Sequence, residues 1–210
     1  MSAILDLRKE VDCNFLDRQL QHLMKDYGID GFKFDGGSVE SYIDENCVNG
    51  KIDKSKTPHE RNIAWNEFGR QYAFHEYKDT YKGGGKCVIS RLLDRDHSWT
   101  CSGINTIIEN SLVQGLIGHP FICPDMIGGG SWNIFLRGIE LDQELFVRMA
   151  EVSTYFPMMQ YSLAPWKYLN EENLKICIDM AKKHKEISGE ILKLVNESRV
   201  TGEPIVRHLA

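Results

Sequence analysis

Gly28-Ile29-Asp30-Gly31-Phe32-Lys33-Phe34-Asp35-Gly36-Gly37 reads as a helix stop, a short apolar strand and a carboxylate followed by two glycines. Side chains alternate along a pleated strand, so Phe32 and Phe34 point one way and Lys33 and Asp35 the other. In a parallel sheet wrapped by helices the phenylalanines pack beneath the helical layer, which leaves Lys33 and Asp35 facing a barrel axis. Asp35 then stands at the carboxyl end of its strand, where barrel enzymes keep their chemistry. A turn-capping aspartate is the plainer alternative.

Outward from this stretch, strands and helices alternate. Ala3 to Leu7 is strand-like, and Phe15, Leu16, Leu20, Leu23 and Met24 at helical spacing predict a helix from Glu10 to Tyr27. Strand, helix and strand then make one βαβ unit. Ser38 to Pro58 is a long polar loop. Thr57-Pro58-His59-Glu60 has the pattern of a capping box with proline at the first helical position. Its helix is expected to reach Phe74, burying Ile63, Ala64, Trp65, Phe68 and Tyr72. Gly83-Gly84-Gly85-Lys86 precedes the strand Cys87 to Leu92 instead of following one, so it is a turn and not a phosphate loop.

The polar cluster Leu93-Asp94-Arg95-Asp96-His97-Ser98-Trp99 follows that strand. A helix from Asn105 to Gly115 leads to the strand Pro120 to Cys123 and then to Pro124-Asp125-Met126-Ile127-Gly128-Gly129-Gly130. Beyond lie a helix from Asp142 to Tyr155, a strand-like Met158 to Ser162 and a long amphipathic segment from Glu171 to Val200, in which Ser188-Gly189 is the candidate break. Pro204 to Arg207 begins another strand. Strand ends therefore carry Asp35, Asp94 or Asp96, and Asp125. The alternation is that of an α/β barrel or doubly wound sheet, and no Gly-x-Gly-x-x-Gly follows a strand to support a dinucleotide fold.

The 210 residues fit one domain, and 25 Lys+Arg against 30 Asp+Glu leave no basic excess for a non-specific nucleic-acid binder. No apolar run approaches the roughly 18 residues of a membrane span, and no signal-peptide pattern opens the chain. Cys13, Cys47, Cys87, Cys101, Cys123 and Cys177 are scattered, with Cys87, Cys123 and Cys177 in apolar segments. They read as buried thiols of a reducing, cytoplasmic compartment. A zinc site from His97, Cys101, His119 and Cys123 lacks close ligand pairs, and the chain asks for no cofactor.

Two carboxylates at neighbouring strand ends suit glycoside cleavage, one attacking the anomeric carbon and the other protonating the leaving oxygen. Lys33 and Arg91 are expected to keep Asp35 ionised and to bind sugar hydroxyls. Asp94 as proton donor calls for partial burial beside Trp99 or a second carboxylate nearby. Trp99, Trp132, Trp166 and Tyr161 lie near strand ends where they can stack on sugars. The same aspartates around Mg²⁺ are the metal-dependent alternative, with Lys33 competing for Asp35. In plainer readings Asp96 caps a turn, Trp65 and Trp166 are packing residues, and His75 and His97 are surface or supporting groups.

The motifs Gly31-Phe32-Lys33-Phe34-Asp35-Gly36-Gly37, Arg91-Leu92-Leu93-Asp94-Arg95-Asp96 and Gly118-His119-Pro120-Phe121-Ile122-Cys123-Pro124-Asp125-Met126-Ile127-Gly128-Gly129 together resemble glycoside hydrolase family 31. Glu144 to Arg148, Phe156 to Ser162 and Gly202 to Arg207 agree in order and spacing. The resemblance implies a partial (β/α)8 TIM barrel over residues 1–200, from about the third strand through the eighth, with residues 201–210 starting a C-terminal β-domain. The first strands and flanking β-domains of the family have no counterpart here.

The resemblance further implies a retaining exo-α-glycosidase that cleaves terminal α-linked galactose, glucose or a related sugar through a covalent glycosyl-enzyme. Asp35 matches the nucleophile and Asp94 the acid/base of one branch of the family, with Asp96 its rival; their carboxyls are then expected about 5–6 Å apart. Lys33, Arg91 and Asp125 match groups of the sugar subsite, which Trp99 would join as a stacking platform. Trp99-Thr100-Cys101-Ser102-Gly103 lacks the acid that much of the family carries there, and Gln160 and Ser162 replace a family arginine and histidine. The partner expected is an α-linked saccharide, with neither nucleic acid nor membrane, and opened sheet edges favour self-association. The alternative is an inactive, truncated piece or carbohydrate-binding remnant.

Overall fold

The computed structural model describes residues 4–42, 56–131 and 140–209, and the chain divides into two compact units, Met1–Ser90 and Arg91–Ala210. In the first unit α1 (Glu10–Tyr27) stops at Gly28, whose left-handed φ of 67° turns its N–H back to Met24 O at 3.0 Å. β1 (Gly31–Phe34) follows, then a 3₁₀ turn (Val39–Tyr42), α2 (Pro58–Gly69) and β2 (Phe74–Tyr77). The capping box expected at Thr57 is formed: Glu60 N–H donates to Thr57 Oγ1, and Thr57 N–H donates to Glu60 Oε2.

β1 and β2 pair in parallel with Lys33 opposite Glu76 and Phe34 opposite Tyr77. Ile89 and Ser90, at the start of β3 (Ile89–Arg91), pair in parallel with Glu76 and Tyr77. Gly31 opens β1 because any Cβ there would lie 1.9 Å from Phe74 O. Phe34, Phe68, Tyr72, Tyr77, Val88 and Leu7 form the core. Phe34 stacks on Tyr77 at 5.0 Å and meets Trp65 edge-on at 5.4 Å, a geometry that adds to simple area burial.

Three expectations fail in this unit. Residues 4–9 form no strand. Leu5 and Leu7 pack into the core, while Asp6 holds Arg8 at 2.6 Å and Arg61 at 3.4 Å, so the βαβ crossover is β1–α2–β2. The helix ends at Gly69. The region after it is β2, a strand hidden in the sequence because His75 and Glu76 interrupt its apolar character. Cys87 is exposed, not buried.

In the second unit Arg91 closes β3, and Leu92 N–H donates to Cys123 O of β4 (Phe121–Cys123) at 2.9 Å. A 3₁₀ turn (Ile104–Thr106) runs into α3 (Ile107–Leu116), followed by α4 (Gln143–Ser153), the single turn α5 (Pro165–Tyr168) and α6 (Glu171–Thr201). Leu92, Ile107, Ile122 and Phe156 make one core cluster. Ile127, Leu145, Phe146, Met149 and Cys177 belong to another.

Here α6 runs unbroken through Ser188-Gly189. Gly189 faces open space, and Ser188 Oγ satisfies itself on Lys185 O. Met158 to Ser162 contributes only the bridge Ile127–Tyr161, and 204–207 is a bend with Ile205 buried, not a strand. Trp166 is not a packing residue, since it is 70% exposed. Cys13, Cys87, Cys101, Cys123 and Cys177 are free thiols, with Cys123 and Cys177 buried and Cys101 exposed. Cys47 and Trp132 lie outside the described residues. Among those described, no helix is long and apolar enough to cross a membrane.

Candidate active site

In the first unit the alternation of β1 sends Phe34 into the core and leaves Lys33 and Asp35 on the other side. Asp35 has 54% of its side-chain surface exposed, and its Oδ1 accepts from Gly36 N–H at 2.8 Å and lies 3.0 Å from Lys78 Nζ. Lys33 Nζ lies 3.9 Å from Glu76 Oε1, and only 4% of the Glu76 side chain is exposed. Lys33 and Glu76 are register partners, and Asp35 and Lys78 are the next same-face pair, two residues on. The result is a charge ladder that alternates in sign both along each strand and across the pair. Lys78 and Glu76 went unnoticed in the sequence because β2 did. The signal available was His75 and Tyr77 alternating with Glu76 and Lys78, the same in–out rhythm as Phe-Lys-Phe-Asp.

In the second unit Arg91 is the hub. Its Nη1 lies 3.2 Å from Asp94 Oδ1 and 3.0 Å from Asp125 Oδ1. The Arg91 and Asp125 side chains are 1% and 0% exposed, whereas 32% of Asp94 reaches the surface. Asp125 adopts φ +78° directly after Pro124, an uncommon conformation for a residue with a side chain. Its second oxygen accepts from Arg95 N–H at 2.7 Å, which ties the end of β4 to the loop carrying Asp94. Burial pushes the Asp125 carboxyl upward, against the pull of the Arg95 N–H and the Arg91 guanidinium. Asp94 and Asp125 therefore share one guanidinium nitrogen.

Trp99 takes a different partner from the one anticipated. Its indole Nε1–H donates to Asp142 Oδ2 at 2.8 Å, and the ring is 44% exposed. The other oxygen of Asp142 caps α4 by accepting from Leu145 N–H at 3.0 Å, and Asp142 N–H donates to His97 Nε2 at 3.0 Å. These bonds hold the Asp142 carboxyl below the usual carboxylate range, while burial lowers the pKa of the His97 ring. His97 is therefore a buried strut, not a surface group. Asp96 shapes the same loop through its main chain, its N–H donating to Ser102 O and its carbonyl accepting from Ser98 N–H. Among the described residues no three His, Cys, Asp or Glu side chains gather as a metal site.

The structure thus brings Lys33 and Asp35 together with Glu76 and Lys78 in one unit, and Arg91, Asp94 and Asp125 in the other. No protein-family model matches the chain. Over its whole length it is 30% identical to part of the myogenesis-regulating glycosidase of Mus musculus, and it spans 30% of that protein's length. Among solved structures, a GH31 sulfoquinovosidase from E. rectale in complex with an aza-sugar inhibitor is similar over 96% of this chain and 32% of that one, with a TM-score of 0.76 at 15% identity. A cycloalternan-degrading enzyme from Trueperella pyogenes is similar over 95% of this chain and 30% of that one, with a TM-score of 0.71 at 19% identity. The family resemblance carried by the motifs stands: the chain is GH31-like from end to end, and its α/β fold is that of about a third of such a chain.

Proposed function

We propose that this chain is the acid-bearing portion of a retaining α-glycosidase, with Asp35 as nucleophile and Asp94 as general acid and base. Residues 1–200 form part of a TIM barrel, and residues 201–210 begin a β-domain. Asp35 attacks the anomeric carbon of a terminal α-linked sugar while Asp94 protonates the departing oxygen. Asp94 then takes a proton from the water that cleaves the glycosyl ester on Asp35. Both steps use only carboxyl groups, so no cofactor is required. Arg91 and Asp125 set the position of Asp94, Lys33 offers hydrogen bonds to sugar hydroxyls, and Trp99 offers a stacking face.

The observation that carries this reading is the setting of Asp35. It is a half-exposed carboxylate at the end of a parallel strand, held by a main-chain N–H and a lysine. A 2-deoxy-2-fluoro or 5-fluoro α-glycosyl fluoride of the gluco and galacto series should trap an ester on Asp35, found by peptide mass mapping. A label that falls elsewhere, or that persists in Asp35→Asn, overturns the assignment.

A second reading is sugar binding without turnover; the chain spans 30% of the mouse relative's length. Saturable binding of an aza-sugar by calorimetry with no label on Asp35 would select it.

A further inference from the structure

α2 buries two carboxamides: Asn62 is 0% exposed and Asn66, one turn on, 3%. Burying an amide costs free energy unless its hydrogen bonds are made, and the bonds of Asn62 lead to the candidate nucleophile. We propose that Asn62 is a positioning residue for Asp35: its carboxamide holds the turn that follows Asp35 and joins it to the segment that follows β2. The inference rests on the reading of Asp35 as nucleophile.

Asn62 Nδ2–H donates to Gly37 O at 2.8 Å and, more distantly, to Asp79 O at 3.4 Å. Asn62 Oδ1 accepts from Tyr81 N–H at 3.0 Å and from Asn66 Nδ2–H at 3.1 Å. Two donors and two accepting lone pairs are the whole capacity of a carboxamide. Asn66 braces this arrangement, donating also to Asp79 O at 3.0 Å and to Asn62 O at 2.8 Å. One helix thus grips the chain beyond β1 at Gly37 and the chain beyond β2 at Asp79 and Tyr81.

The turn so held needs holding. Gly36 and Gly37 both adopt left-handed φ, +74° and +67°, and glycine restricts its own backbone least of all residues. Gly37 is seated against Trp65, whose Cδ1 would lie 2.4 Å from any Cβ placed there. Gly36 N–H donates to Asp35 Oδ1 at 2.8 Å. The carboxylate is therefore oriented through a short glycine turn whose far end is bonded to α2. Asparagine suits the position for a specific reason. An aspartate would set an oxygen against Gly37 O, and a leucine would offer nothing to Gly37 O or to Tyr81 N–H.

The experiment uses the ¹⁵N-labelled 210-residue chain. Because Gly36 N–H donates to the Asp35 carboxyl, its amide-proton shift follows the titration of that carboxyl. In Asn62→Ala the amplitude of this shift should fall below about half the wild-type value, the consequence of losing one ordinary hydrogen bond from the turn. Asn66→Ala removes a buried amide from the same face of α2 but leaves the Gly37 bond in place, so it should keep most of the amplitude. Amide spectra of each variant check that the fold is retained. Equal amplitudes in wild type and Asn62→Ala overturn the proposal, as does an equal loss in the two variants. If Asn62→Ala does not fold, the wild-type chain still decides. The Asn62 carboxamide protons should exchange slowly with water and show nuclear Overhauser contacts to the Gly37 α-protons, and fast exchange without those contacts overturns the proposal.

Trapping with the fluorinated glycosyl fluoride is run on the same proteins. In Asn62→Ala the ester on Asp35 should form about ten- to a hundredfold more slowly, with little change in the half-saturating concentration. Loss of the Gly36 amplitude with no ester in any protein, wild type included, retains Asn62 as the residue that holds the turn and rejects the hydrolase reading. An ester that forms in folded Asn62→Ala at the wild-type rate rejects Asn62 and retains the hydrolase.

Discussion

Arg91 and Asp125 form an ion pair at 3.0 Å with both side chains sealed from solvent. Each charge offsets much of the other's desolvation. Arg91→Met should therefore destabilise the second unit by about 3–5 kcal/mol, the usual consequence of stranding one member of a buried pair. Adding Asp125→Asn should recover part of that loss, since the amide removes the stranded charge and keeps an acceptor for Arg95 N–H. Urea unfolding of the single and double variants measures both steps. An Arg91→Met midpoint equal to wild type would show the pair to be energetically idle.

Burial lowers the proton affinity of His97 and His119. Their stabilisation is complete above the unfolded value near pH 6.5 and is lost as pH falls through the depressed folded values. In that range the unfolded chain takes up protons that the folded chain refuses. Hydrogen exchange of the α4 amides should report lower stability at pH 5.5 than at pH 7.5. His97→Gln, whose amide oxygen can still accept from Asp142 N–H, should flatten that dependence. An unchanged slope would mean that His97 is not held neutral.

Asp142 divides its oxygens between the α4 cap and the Trp99 indole, so its two roles can be separated. Asp142→Asn keeps an acceptor for Leu145 N–H and places an amide donor against the indole N–H. Its stability cost should be smaller than that of Asp142→Ala, about 1 kcal/mol for a lost cap, while the Trp99 indole proton loses its protection from exchange. Equal costs for the two variants, with the indole proton still protected, would contradict the split.

Two glycines should respond in opposite directions to alanine. At Gly31 a Cβ would meet Phe74 O at 1.9 Å and Phe74 Cβ at 2.6 Å. Backbone cannot yield as a side chain can, so Gly31→Ala should cost about 1–3 kcal/mol or more and part β1 from β2. Gly189 sits inside α6 facing open space. Gly189→Ala should stabilise the helix by about 0.5–1 kcal/mol. Thermal melts of both variants decide the matter, and a shared sign would mean that the crowding at Gly31 and the open space at Gly189 do not govern the outcome.

If Asp94 is the proton donor, Asp94→Asn should slow cleavage of natural α-glycosides by at least about a hundredfold. An aryl glycoside with an acidic phenol needs no protonation and should form the glycosyl-enzyme nearly as fast as wild type, with the deficit moved to hydrolysis of the ester. Asp96→Asn should change neither step. The reverse pattern would transfer the role to Asp96.

Much of the local structure was legible in the chain. Gly28 announced the end of α1, and Thr57-Pro58-His59-Glu60 the start of α2. The Phe-Lys-Phe-Asp alternation showed which side of β1 faces the core. What escaped was β2, whose four residues, Phe74 to Tyr77, include a buried glutamate. With it escaped Lys78 as the cation on Asp35. The opening residues erred the other way: Leu5 and Leu7 have the apolar character of a strand but find their burial in packing, without a strand partner.

The sequence by itself determined the main helices and β1, the strand-end position of Asp35 and Asp125, and the family resemblance. These depend on periodicity, caps and residue spacing, which act over a few positions along the chain. Only the tertiary structure decided which charges meet: Lys78 with Asp35, Arg91 with Asp94 and Asp125, and Asp142 with Trp99. Those pairings bridge up to 43 positions along the chain. Coulomb attraction and hydrogen bonding act across space at a few ångströms, and sequence distance does not enter them.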